Sequence, residues 1–481
     1  MSRRAVAVAL GALVCACANA KAVAPTGPAS SPPAAPHIAV AEVEPIPVAS
    51  SRDTAPATWV GAAAASDYVV TGASEQLVGV WVDIPAATVP RVPLAVALTI
   101  DTSGSMAGDP IAHARLAARK VVDSLVDGDI LTLVTFDSQA RSLLMPTEMT
   151  PSTRRRALAT IAELEASGGT ALHDGVKAAE MSLLQVPDRY LVRRVVLISD
   201  GQATVGPTDT AQLGNLAEVG MRHGIQVTAL GVGLDYDEHT LDAFAVRSSG
   251  RLYHLENSKE MSSIVASEME TLGRTTAAQA ELAIVPAPGV TILGVDSVRS
   301  VTEAGAMTIP LGVMFSGQQR EVLVRVRIDD RGLGMRALAS VRLNYRDPGE
   351  DGLERVHESI VRATVTDDRT LVAAHPHDRA QAIIALRQAS MLAASASKLA
   401  GDGDLAMASA NLDQAEHSLR QRAGLAKDES ERKQMLEGAD RVSRAKRKVD
   451  DAAKSPAAAK PSASRGAALE VNDAFMALDG F

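Results

Sequence analysis

Two different spacings of apolar residues divide the chain. Between residues 94 and 272 the apolar runs are short and nearly unbroken: Leu94–Ile100, Ile130–Phe136, Val195–Ile198 and Ile225–Val232. Stretches with helical spacing separate them. The first opens at Asp109-Pro110-Ile111, an N-cap acid followed by proline at the first helical position, and runs to about Leu125. Strands apolar on both faces, alternating with helices, predict an α/β doubly wound, mostly parallel sheet covered on both sides.

From about Ala277 to Val365 the period becomes two. Val322, Val324, Val326 and Ile328 fall on one face, opposite Glu321, Arg325 and Arg327; Ala337, Ala339, Val341, Leu343 and Tyr345 repeat the pattern. Val78–Ile84, ahead of the α/β part, alternates in the same way. Such half-buried strands predict an antiparallel β-sandwich. The α/β region, 91–273, is then inserted between strands at 58–90 and the rest of the sandwich at 274–366. Residues 367–453 are rich in Ala, Leu and charge at helical spacing, and Gly401–Gly403 and Gly424 break them into two or three helices, a hairpin or small bundle. Residues 454–481 read as a flexible tail. Within it, Val471, Phe475 and Leu478 share one helical face and suit a docking peptide, a segment that packs back on its own protein, or an unstructured end.

Composition adds compartment. Arg3-Arg4 and the apolar stretch Ala5–Val14 form a signal peptide over residues 1–20, its apolar part well short of the ~20 residues that span a bilayer. Ala18-Asn19-Ala20 offers one cleavage site. Val14-Cys15-Ala16-Cys17 offers another, resembling a bacterial lipoprotein box with Cys17 as the lipidated residue. The two cysteines of the protein both lie here, so the exported chain has no disulfide. Residues 21–57, rich in Pro, Ala and Ser, suit a tether between membrane and folded body. The net charge of -9 argues against sequence-independent nucleic-acid binding. One basic run, Arg441–Lys448, goes against that balance and reads as a solvated helix face or a surface for an anionic partner.

The chemistry sits where the first apolar run stops. Asp101, Ser103 and Ser105 follow Ile100 at alternate positions, and ligands of parallel sheets bind beyond the carboxyl ends of strands. One carboxylate and two hydroxyls are hard oxygen donors, suited to a small divalent cation such as Mg²⁺. Two other loops reach the same edge: Ser167-Gly168-Gly169-Thr170, and Asp200-Gly201 after the strand at 195–198. Asp109 reads as the helix cap, Asp137 as a turn residue and His173 as a surface histidine. Asp174 suits a structural place in the next helix or a bond to metal-bound water.

D-x-S-G-S, then G-G-T, then a strand ending in D-G, resembles the von Willebrand factor type A (VWA) domain over about residues 92–272. The layout of flanking sandwich and C-terminal helices is also similar, weakly, to bacterial relatives of the inter-alpha-trypsin inhibitor heavy chains. The resemblance implies a metal-ion-dependent adhesion site formed by Asp101, Ser103, Ser105, Thr170 and Asp200, holding Mg²⁺, with Mn²⁺ or Ca²⁺ as alternatives. It implies binding rather than turnover: a partner protein supplies an Asp or Glu to an open position on the metal. On this reading the protein is an exported, non-enzymatic binding module of the bacterial cell envelope, lipid-anchored or soluble. The alternatives are a metal-dependent hydrolase and an envelope scaffold stabilised by its metal. No Walker-type loop, G-x-S-x-G elbow or H-E-x-x-H pair supports the hydrolase.

Overall fold

The structure, a computed structural model, describes residues 58–479 apart from 73–74, 233–235, 256–257, 297–299, 330–331 and 457–458. The leader, Cys17 and the Pro-rich segment 21–57 lie outside the described residues. In chain order, strands β1 (Val60–Ala64), β2 (Tyr68–Val70) and β3 (Glu75–Asp83) lead into β4 (Leu94–Asp101). Then follow α1 (Asp109–Ser124), β5 (Ile130–Phe136), β6 (Ala140–Glu148), α2 (Pro151–Ala162), α3 (Leu172–Leu183) and β7 (Val192–Ser199). The α/β part ends with α4 (Thr210–Arg222), β8 (Ile225–Val232), α5 (Glu238–Arg247), β9 (Arg251–Leu255) and α6 (Ser258–Gly273).

Its sheet has the order β6-β5-β4-β7-β8-β9, parallel except for the antiparallel edge β6. Every residue of β4, β5, β7 and β8 is buried, as unbroken apolar runs require. One face carries Ala114, Val121, Val265 and Met269 of α1 and α6; the other carries Val176, Leu213 and Phe244 of α3, α4 and α5. The chain runs from β4 outward to β5 on one side, then returns to β7 on the other. That reversal opens a crevice at the carboxyl end of β4, the place where such sheets bind ligands. Helix α1 differs from the sequence expectation in detail: Gly108, at φ 84°, is the N-cap, with Asp109 in the first turn and Pro110 after it.

The chain then forms β10 (Thr275–Pro286), β11 (Val290–Asp296), β12 (Val301–Glu303), β13 (Ala306–Phe315), β14 (Gln319–Ile328), β15 (Gly334–Asp347) and β16 (Leu353–Thr366). They make two sheets, β1-β3-β14-β11 and β12-β13-β10-β15-β16-β2, around one core that includes Val80, Val324, Leu282 and Leu343. Strand β3 thus pairs with β14 across the inserted α/β part. One expected inward position is wrong. Ala337 is exposed and Leu338 is buried, because a register irregularity between Ala337 and Ala339 shifts the alternation of β15.

The last region holds α7 (Arg369–Ala374), α8 (Asp378–Gly401), α9 (Leu405–Ala423), α10 (Glu429–Lys454) and α11 (Lys460–Asp479). The core of the four long helices is mostly alanine, which lets their backbones approach closely. Helix α11 corrects the flexible tail expected over 454–481. Ala467, Val471, Ala474 and Leu478 are buried against α8 and α10, and Ser397 Oγ donates to Ala468 O at 2.9 Å. The small residues that read as linker are the ones that fit an alanine core. Pro461 sits in the first turn, where its missing N–H breaks no helical bond.

Candidate functional site

Three loops meet at the crevice beyond β4. Asp101, the last residue of β4, is fully buried, and Ser103 is 1% exposed, whereas Ser105 is exposed. The Ser103 backbone N–H donates to Asp101 Oδ1 at 2.8 Å, and the Ser103 and Ser105 hydroxyls lie 3.1 Å apart. The motif therefore folds on itself, its two hydroxyls paired.

The second loop is tied to the first through the backbone: Ser167 N donates to Thr102 O at 2.8 Å and Gly104 N to Gly168 O at 3.0 Å. Gly168 takes φ +78°, and a Cβ there would meet Ser138 Oγ at 2.9 Å, so both conformation and space call for glycine. This places Thr170, 2% exposed, at the crevice. The third loop follows β7, the neighbour of β4. Asp200 is 5% exposed, its Oδ1 accepting from Gln202 N at 3.1 Å. Loops two and three are joined as well: Thr170 N donates to Thr204 Oγ1 at 2.9 Å, and Thr170 O accepts from Thr204 N and Val205 N, each at 3.1 Å.

Ser199 is a functional residue that the sequence pattern does not announce, because it stands just past the apolar run 195–198. It is fully buried, donates from Oγ to Asp101 Oδ2 at 2.6 Å, and accepts from Gly201 N at 2.9 Å. One hydroxyl thus fixes the Asp101 carboxylate and the turn that carries Asp200. The available signal was a polar residue closing an apolar strand directly before Asp-Gly. Thr204 and Ser138, whose hydroxyls hold the second loop, are not announced either, being ordinary loop residues in sequence.

Electrostatically the site lacks a cation. Burial pushes the Asp101 carboxyl up to about 6, and the neighbouring Asp200 charge adds to the rise; bonds from Ser103 and Ser199 oppose it. Among the described residues no Lys, Arg or His pairs with Asp101 or Asp200. Nor do three His, Cys, Asp or Glu side chains cluster as metal ligands anywhere among them. The donor set is instead two carboxylates with the hydroxyls of Ser103, Ser105 and Thr170. Two buried carboxylates with no protein counter-charge, among hard neutral donors, fit a small divalent cation.

The other acids near the crevice have local partners. Asp137 accepts from Gln139 N and Arg141, a turn role. Asp174 is exposed and its Oδ1 lies 3.0 Å from His173 Nδ1.

Comparison with known proteins places the fold. The family model "von Willebrand factor type A domain" matches residues 95–267. An uncharacterized protein of Synechocystis is 29% identical over 271 residues, which cover 54% of this chain and 63% of that protein. Inter-alpha-trypsin inhibitor heavy chain H4 of Bos taurus is 28% identical over 167 residues, 33% of this chain and 18% of the relative. The chain thus spans less than two thirds of the length of these curated relatives. A solved structure described as von Willebrand factor type A from Catenulispora acidiphila superposes with TM-score 0.69 at 19% identity, covering 86% of this chain and 96% of that one. That likeness is one of fold, and it extends well beyond the α/β part. Residues 95–267 are therefore a von Willebrand factor type A domain, inserted in a two-sheet β region and followed by a helical bundle.

Proposed function

We propose that this protein is a divalent-metal-dependent protein-binding module of the bacterial cell envelope, acting in adhesion or complex assembly. The observation that carries the reading is the buried pair Asp101 and Asp200, without a cationic partner among the described residues, on loops that also carry Ser103, Ser105 and Thr170. Asp101 and Asp200 supply charge, and the three hydroxyls supply neutral oxygens. Ser199 fixes the Asp101 carboxylate through Oδ2, and the Ser103 N–H through Oδ1. Mg²⁺ suits this set best, with Mn²⁺ or Ca²⁺ as alternatives. When bound, the metal would supply a Lewis-acidic position that a partner's Asp or Glu can fill. VWA domains often mediate protein interaction or adhesion through such sites, which favours binding over turnover.

The rim supports a protein ligand. Gly104, Ser105, Ala107, Gly108, Ser167 and Gly168 are exposed, small and uncharged, so a partner's backbone can come close. Envelope placement rests on the leader, with Cys17 as the residue that would take a lipid anchor. Among the described residues no helix is long and apolar enough to cross a membrane.

The test is capture of partners from envelope extract by full-length protein, in Mg²⁺ and in excess chelator, with wild type and Asp101→Ala compared. Capture that needs both Mg²⁺ and Asp101 supports the reading, and capture unchanged in chelator refutes it. Sustained hydrolysis of phosphoesters or peptides, lost in Asp101→Ala, would favour the hydrolase instead.

A further inference from the structure

Helix α10 buries one face, Met435, Ala439, Val442, Ala445, Val449 and Ala452, in the alanine core of the bundle. On the opposite face Arg441, Arg444, Arg447 and Lys448 are all exposed. They span roughly 10 Å of helix, at ~1.5 Å per residue. Among the described residues none of the four has an acidic partner. The acids around them are already engaged: Glu437 with Lys433 at 3.8 Å, Asp440 with Arg420 at 2.8 Å, Asp450 with Lys446 at 3.5 Å and with Ser409, and Asp451 with Lys454 at 3.7 Å. Among the described residues the polar bond that the stripe makes is from Arg447 Nη1 to Ser443 Oγ, at 3.4 Å. A row of four uncompensated cations thus stands on a protein whose net charge is -9.

We propose that this stripe is a docking surface for an anionic phospholipid membrane. Clusters of about four to eight Lys and Arg on an amphipathic helix are the number and arrangement that bind anionic headgroups. The face is a single convex helix, which suits a planar array of phosphates better than a pocket-shaped ligand. It carries no Trp, Tyr or Phe on which nucleic-acid bases could stack. The overall negative charge does not oppose docking at contact, because charges beyond about 8 Å are screened at physiological salt. The proposal is independent of the metal-site reading, since no residue is shared between them.

The test is co-sedimentation of the full chain with vesicles of phosphatidylcholine alone or mixed with phosphatidylglycerol, at low and high salt. Binding is expected only to the phosphatidylglycerol vesicles, and it weakens in high salt. Each replacement of a stripe cation by Gln lowers partitioning about fivefold, and the quadruple variant lowers it by more than about a hundredfold. Arg155→Gln/Arg156→Gln, two exposed cations on α2, leaves binding unchanged. Circular dichroism checks that the quadruple variant keeps its helices. Equal binding to pure phosphatidylcholine, equal loss in the α2 variant, or full binding by the quadruple variant overturns the proposal. So does a stripe that binds single-stranded DNA or polyglutamate but not the vesicles.

Discussion

Replacing Asp101 by Asn removes one negative charge from the crevice while keeping shape. The carboxyl rises from 3.8 to about 6 because it is buried beside Asp200. A folded value above the unfolded one means that the stability from this group is complete below pH 3.8 and is lost as pH rises through 6. Two pK units at ~1.4 kcal/mol each give a destabilisation of about 3 kcal/mol at neutral pH in the metal-free protein. In chelator at about pH 7.5, Asp101→Asn should therefore be more stable than wild type by up to ~3 kcal/mol, or roughly 6–12 °C in the melting of a domain this size. The gain is reduced by the Asn amide facing Ser199 Oγ, which now donates to Oδ2 and would have to rotate. Added Mg²⁺ reverses the order, raising the melting temperature of wild type and leaving the variant unmoved. Differential scanning calorimetry at neutral pH and at about pH 4, with and without Mg²⁺, measures every term. A variant no more stable than wild type in chelator, or one that keeps the Mg²⁺ response, refutes the reasoning.

Three further outcomes are expected. Glu180, on α3 against Gly220 of α4, is pushed up to about 8 by burial, and its Oε1 has no hydrogen-bond partner among the described residues. Its contribution is full below pH 4.5 and lost as pH rises through 8, so Glu180→Gln should melt above wild type at about pH 9 and near it at about pH 4. Gly201→Ala places a Cβ 2.7 Å from Asp237 O at φ +75°, which should destabilise the domain by roughly 1–3 kcal/mol and weaken the Mg²⁺-induced rise in melting temperature. Arg379 forks onto Asp83 at 2.6 and 2.7 Å, lies 3.6 Å from Glu321 and stacks on Trp81 at 4.7 Å. Because burial already raises the Glu321 carboxyl, Arg379→Ala should lower stability by about 2–3 kcal/mol in urea titrations followed by Trp fluorescence, with Arg379→Lys between.

Much of this was legible in the chain itself. Unbroken apolar runs mark buried parallel strands because both faces of each are covered, and β5 and β8 begin and end where those runs do. Alternation marked the outer sheets, since Val322, Val324, Val326 and Ile328 of β14 face the core, while the opposite face carries half-buried charged residues and Leu323, which packs against Ile383 and Ile384 of α8. Asp101, Ser103 and Ser105 were legible because three hard donors at alternate positions have little reason to follow a buried strand. Thr170 and Asp200 needed the parallel topology as well, which brings the carboxyl ends of neighbouring strands to one edge.

Other features arise only when the chain is folded. Ser199 is an ordinary serine until β7 lies beside β4 and brings its hydroxyl within 2.6 Å of Asp101. The exposure of Ala337 follows from how β15 pairs with β16, a register that no single strand encodes. Helix α11 reads as linker because alanine, serine and glycine bury little surface by themselves, and it is held only because α8 and α10 present equally small side chains. Local pattern determined most of the strands and helices and pointed to the residues of the candidate site. Tertiary packing decided which of those groups lose water together, and that shared burial of Asp101 and Asp200 is what supports the proposed cation site.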